Sequence, residues 1–256
     1  MNAPPIDWDR IENFIGFGPR TAPVVFVGME EGLDSALNLK SDLVRRSAFE
    51  AVMDLREAHR GIVNADRRFD PVRVATQPTW RPMCHLLLRR RGLANPTLPQ
   101  RRLYQAEELG RSSGETLLTE LLPYPHTRAN EWSYAEFGRF GDRKTYKAAM
   151  LGRRKDLLRS VLWESSRELI VCYGKADWHH FKELFPLTIT WHSAGPFETA
   201  TTGETHIVLT PHFSGREFNS DAQLQNFADV ALRIRRRGRG SPPRKNGISL
   251  AGQTKA

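Results

Sequence analysis

Cysteine is nearly missing from this sequence: Cys84 and Cys172 are the two thiols in 256 residues. Two thiols exclude a disulfide framework and any four-cysteine zinc or iron–sulfur centre built within one chain. Long apolar runs are missing too, none approaching the roughly 18 residues that a membrane span needs. The opening MNAPPIDWDR carries neither a basic n-region nor an apolar h-region. No signal peptide and no membrane partner are therefore expected, and the expected compartment is the cytoplasm. The phosphate-cradling patterns GxxxxGK[ST] and GxGxxG are absent, which counts against a nucleotide-cofactor enzyme, and no cofactor is expected. His206 and His212 lack a third ligand at metal-like spacing, so no metal is expected either.

Acidic residues are absent from 233–256, where eight of the 38 basic residues fall. That leaves 30 basic residues facing 29 acids in 1–232, so the net charge of +9 belongs to the tail. The rest is an ordinary globular mixture, 39% hydrophobic and 26% charged. The tail mixes Arg, Gly, Pro and Ser with almost nothing to bury. Residues 1–235 are read as one α/β domain and 236–256 as a basic disordered tail. Such a tail suits a nucleic-acid footprint or a solvated terminus.

Strand-like and helix-like patterns alternate along the body. VVFVG (24–28) and ELIVCYG (168–174) are apolar runs closed by glycine, as buried parallel strands are. TLLTELL (116–122) is a third strand, expected to stop at Pro123 and Pro125. Helices are expected over 35–60, 78–92, 143–165 and 175–185, and LTITW (187–191) is an extended segment. Thr-Gly-Glu at 202–204 marks a hairpin tip. Ser220 with Gln223 forms a capping box that opens a helix over 221–235. Strands separated by helices predict a three-layer α/β/α sandwich with a mostly parallel central sheet.

Ligands of open parallel sheets bind beyond the carboxyl ends of the strands. Those ends carry Gly28-Met29-Glu30-Glu31-Gly32, then Pro123-Tyr124-Pro125-His126, Gly174-Lys175, and Pro211-His212-Phe213-Ser214-Gly215-Arg216. A carboxylate pair and a histidine would then share one end of the sheet, a standard acid/base combination. The glycines of GMEEG permit a tight turn and close approach of a ligand. The two acids also suit a helix N-terminus. Glu120, flanked by leucines, needs either a ligand or an arginine partner.

In their order, GMEEG (28–32), LLTELLPYP (117–125), CYGKA (172–176) and PHFSGR (211–216) resemble the motifs of the uracil-DNA glycosylase superfamily. The likeness runs over roughly residues 20–235. It implies cleavage of the bond between a damaged or modified base and deoxyribose in DNA. Carried over, Glu30 would position water or stabilise the sugar cation, and His212 would donate to the leaving base. Glu120 would face the base edge. Gly28, Met29, Glu31, Gly32, Phe213, Ser214 and Arg216 would contact substrate. Glu30 and Glu31 stand where the family has Asp, Asn or Ala and then Pro. Glu120 stands for the base-reading Asn and Phe213 for Pro, so the resemblance does not carry uracil over as the base. Phe49, Tyr124 and Phe213 are candidates to sandwich the base, and Phe213, Arg216 and Phe218 to enter the stack.

The expected partner is DNA, with RNA as the alternative, and the chain is expected to be a monomer. Arg89-Arg90-Arg91 with Arg101-Arg102 is the densest basic patch of the body, either a solvated face or a phosphate contact. Cys84 and Cys172 read as small core residues. Two other functions compete: a nonenzymatic nucleic-acid-binding protein on the same scaffold, and a hydrolase of free nucleosides or nucleotides.

Overall fold

The computed structural model describes residues 5–33, 38–62, 65–70, 72, 77–126 and 132–233. The tail expected over 236–256 lies outside them. Among the described residues, eight strands form one sheet. They are β1 (Gly16–Phe17), β2 (Val24–Gly32), β3 (Val52–Met53), β4 (Thr116–His126), β5 (Leu169–Tyr173), β6 (His192–Ala194), β7 (Phe197–Thr202) and β8 (Thr205–Thr210). Eight α-helices accompany them: α1 (Trp8–Asn13), α2 (Leu39–Arg46), α3 (Leu55–Ala58), α4 (Trp80–Arg90), α5 (Leu98–Glu107), α6 (Arg143–Trp163), α7 (Trp178–Lys182) and α8 (Asp221–Ala231).

The sheet order is β3-β1-β4-β2-β5-β8-β7-β6. Its centre, β4-β2-β5-β8, is parallel throughout. β1 joins β4 antiparallel, and β7 and β6 continue antiparallel beyond β8. The expectation of a mixed α/β chain with a mostly parallel sheet is met. The apolar runs explain the centre: β2 and β5 bury every residue of VVFV and LIVCY. Alternation then splits each strand between two apolar clusters. Val24 and Phe26 join Leu118, Val171 and the side chains of α4 and α8. Val25 and Val27 join Leu117, Cys172 and the side chains of α6.

Several boundaries hold. The hairpin tip falls between Thr202 and Thr205, which pair, with Gly203 at φ +55°. The capping box is formed: the Ser220 hydroxyl accepts from the Gln223 amide while the Gln223 side chain accepts from Ser220 N–H. Gly92, at φ +92°, closes the turn after α4. Cys84 and Cys172 are buried free thiols.

Four expectations are corrected. GMEEG is not a loop: β2 continues through Gly32, with a bulge between Glu30 and Gly32. β4 runs on to His126, past both prolines, and so gives β2 a partner along that length. The prolines are tolerated because β1 pairs β4 only at Leu118 and Thr119, and beyond them no strand among the described residues pairs with that edge. The single helix over 35–60 is α2, β3 and α3, each helix with its own cap from Asn38 or Asp54. LTITW is irregular, and the strand begins at His192. No helix among the described residues is long and apolar enough to cross a membrane.

Candidate functional site

The four parallel strands end on one side, and a cavity of about 490 Å³ opens there. That lies within the usual range for small-ligand sites. Glu30, Glu31, Gly32, Glu120 and His212 all line it.

At its base three neighbouring strands bring Glu120, Gly28 and Tyr173 side by side. Gly28 pairs with Glu120, and Val27, one residue earlier, pairs with Cys172. The Tyr173 hydroxyl reaches across β2 and donates to Glu120 Oε1 at 2.5 Å. It passes over Gly28, where a Cβ would overlap Glu120 Oε2 and the Tyr173 hydroxyl and stand 2.5 Å from ring carbon Cζ. Gly28 is thus a strand glycine that admits a cross-strand pair, not a turn glycine. Among the described residues Glu120 Oε2 has no hydrogen-bond partner. Burial pushes the Glu120 carboxyl up to about 8, against the Tyr173 hydrogen bond and with Glu31 and Glu30 adding to the rise. At neutral pH it is a protonated acid with one oxygen committed to Tyr173.

Beneath it, Arg154 is buried and spends its guanidinium on backbone carbonyls. Nε donates to Leu121 (3.1 Å), Nη1 to Glu12 (3.0 Å) and Phe14 (2.9 Å), and Nη2 to Glu120 (2.8 Å). These bonds tie α6 to the strand end that carries Glu120. Desolvation lowers the Arg154 pKa to about 10, so it remains charged.

Glu30 lies two residues beyond Gly28, on the same face. Its Oε2 pairs with Arg143 at the start of α6, and its Oε1 is buried with no partner among the described residues. Burial raises its pKa to about 7, opposed by Arg143 and Lys147 and aided by Asp177. It therefore titrates close to neutral pH. Perturbed carboxyls in a cleft are a mark of functional sites.

His212 stands at the rim, two residues beyond β8, its ring 5.7 Å from that of Tyr173. Ser214 N–H donates to its Nδ1 (3.3 Å), and the Ser214 hydroxyl is 2.8 Å from the same nitrogen. Nδ1 is therefore the acceptor and, in the neutral ring, Nε2 carries the proton. Desolvation holds its pKa below the usual imidazole value, opposed by Asp177. The histidine is a neutral Nε2–H donor at pH 7.

The other expected residues divide. Glu31 lines the cavity, but its Oε2 accepts from buried Arg46 at 2.9 Å, and Arg46 also binds Asp42 at 2.7 Å. Ser214 acts on His212 rather than on the cavity. Met29 packs against the apolar clusters. Arg216 is exposed on a short turn and lies outside the lining.

Phe213 is corrected outright. It is 1% exposed, stacks on Tyr173 at 4.8 Å and packs on Phe26, Phe218 and Phe227, so it is core and neither sandwich nor wedge. Phe218 is buried beside it. Phe49 is core as well, and Tyr124 is stacked between Tyr134 and Tyr146. The aromatic walls are instead Phe14, Phe17, His59, Trp80 and Tyr173, none of them singled out from the sequence. Tyr173, the last residue of an apolar strand before Gly174, was the one with a readable signal.

Four of the five arginines of the basic patch are ion-paired rather than simply solvated. Arg89 pairs with Asp229 (3.0 Å), Arg90 with Glu115 and Glu168, and Arg91 with Glu108 and Glu115. Arg101 reaches Asp221 at 3.1 Å. Four arginines thus hold helices and strand ends together. Alanine at Arg90 is expected to cost about 2 kcal/mol of stability in a urea melt, since Glu115 loses a charged partner. It should leave the salt dependence of any DNA retention unchanged. A slope reduced by one would return this arginine to the phosphate contacts.

Among the described residues no group of three or more His, Cys, Asp or Glu is arranged to hold a metal ion. Comparison with protein-family models and with curated proteins gives no match.

Proposed function

We propose that this chain hydrolyses the N-glycosidic bond of a nucleobase in DNA, as a divergent glycosylase of the kind its motifs resemble. The observation that carries the reading is the convergence of two carboxyls of raised pKa with a neutral histidine donor in one cavity. The fold assumed is a three-layer α/β/α sandwich, supported by the two apolar clusters on alternate residues of β2.

The chemistry divides charge, and the cavity holds complementary groups. As the bond from the sugar carbon to the base breaks, its electron pair leaves with the base and the sugar becomes cationic. Ionised Glu30 stabilises that cation and, through Oε1, receives a proton from the attacking water, whose oxygen bonds the sugar carbon. His212 Nε2–H and the protonated Glu120 offer hydrogen bonds to the departing base. The base leaves neutral after taking up one proton, equivalent to the one released by water. The base must leave the stack to enter.

The neutralised arginine cluster favours a second reading, the same hydrolysis on free nucleosides. Oligonucleotides carrying uracil, hypoxanthine, xanthine or mismatched thymine, beside undamaged DNA and free nucleosides, separate the two. Abasic sites cleaved by alkali support the DNA reading. Free base released from nucleosides alone transfers the activity to the second. Retention of DNA on a filter at low salt with no base released from any substrate overturns both in favour of a binding protein.

A further inference from the structure

Among the cavity side chains unused by that chemistry is a histidine. His59, directly after α3, is buried and lines the cavity beside Phe17, Phe69 and Trp80, with ring centroids 6.1, 5.7 and 6.0 Å away. Its Nδ1 lies 2.8 Å from the Leu55 carbonyl, which only accepts, so Nδ1 carries the proton. Nε2 is then a lone-pair acceptor, and it takes no hydrogen bond among the described residues. Burial, with Arg68 and Arg45 nearby, holds the ring neutral, against the pull of Glu31. Leu55, Leu118 and Met83 add apolar side chains to the same lining, to which Arg68, Gln77 and Thr79 also contribute. Glu120 and His212, which line the same cavity, have the opposite polarity and are donors.

We infer that the apolar half of the cavity, walled by Phe14, Phe17 and Trp80, is the subsite for the base, and that His59 Nε2 selects a base bearing an exocyclic amino group. An amino group of the adenine or cytosine class donates to such an acceptor, whereas the oxo group of hypoxanthine or uracil faces it with a second lone pair. A base filling the cavity would shut water away from this acceptor, and one that cannot donate to it would leave it unpaired. The inference rests on the cavity taking a nucleobase, and it adds which base.

The test is binding of free bases to the full chain, measured by calorimetry in matched pairs: adenine against hypoxanthine and cytosine against uracil. An amino base is expected to bind about tenfold more tightly than its oxo partner. The preference should fall to within twofold in His59→Phe. Because that variant also loses the Leu55 bond, nitrogen NMR of the parent protein supplies a second readout. The His59 Nε2 resonance should shift when the amino base is added and not when the oxo base is added. Equal binding of the pairs, a preference for the oxo base, or an unmoved Nε2 resonance overturns the selection while leaving base hydrolysis standing. An amino preference with no base released from any substrate does the reverse: the subsite holds and the hydrolase reading fails.

Discussion

Glu30→Gln should lower base release about a thousandfold, within the span of a removed general base, while the variant folds and binds ligand as the parent does. Glutamine keeps the shape and the Arg143 contact and loses the charge. The pH profile adds a second readout. Glu30 must be ionised, so kcat/KM rises with pH as the carboxyl titrates near 7. Glu120 must be protonated to donate, so the rate falls again as it titrates near 8. The parent should show a narrow bell with its maximum between those values. In Glu30→Gln the acid limb should vanish from the residual rate, and in Glu120→Gln the alkaline limb should flatten. Full activity in Glu30→Gln, or an acid limb that survives in it, removes Glu30 from the chemistry.

What the sequence disclosed follows from how local each signal was. The central strands, the hairpin at Gly203 and the capping box at Ser220 are written in contiguous residues, and all are present. The strand-end rule brought Glu30, Glu120 and His212 to one cavity because the strands carrying them run parallel. Phe213 was misread because its loop position hides a side chain folded back onto Phe26 and Phe227. The ion pairing of the arginine run is illegible in the sequence because its partners, Glu115, Glu168 and Asp229, lie 24 to 140 residues away. Phe17, His59 and Trp80 come from separate short segments that only the folded sheet assembles. A spacing rule has nothing to act on in any of these three cases.

Gly28→Ala should cost about 3 kcal/mol, at the upper end of overpacking in a tight core. The methyl would occupy the path of the Tyr173–Glu120 bond, with Tyr173 Cζ at 2.5 Å. Glu120 has a flexible side chain and could swing aside, but Tyr173 could not. Its ring is stacked on Phe213 at 4.8 Å, and Phe213 is wedged among Phe26, Phe218 and Phe227. The strand itself loses nothing, since Gly28 has no positive φ that alanine would strain. The cost is therefore steric and belongs to the Tyr173 ring. Exchanging Tyr173 for leucine should recover most of it, making Gly28→Ala/Tyr173→Leu more stable than the sum of the single variants by at least 1 kcal/mol. Urea melts of the parent, both single variants and the double complete the cycle. Strict additivity, or a Gly28→Ala variant as stable as the parent, means that the glycine does not hold open the bridge between β4 and β5.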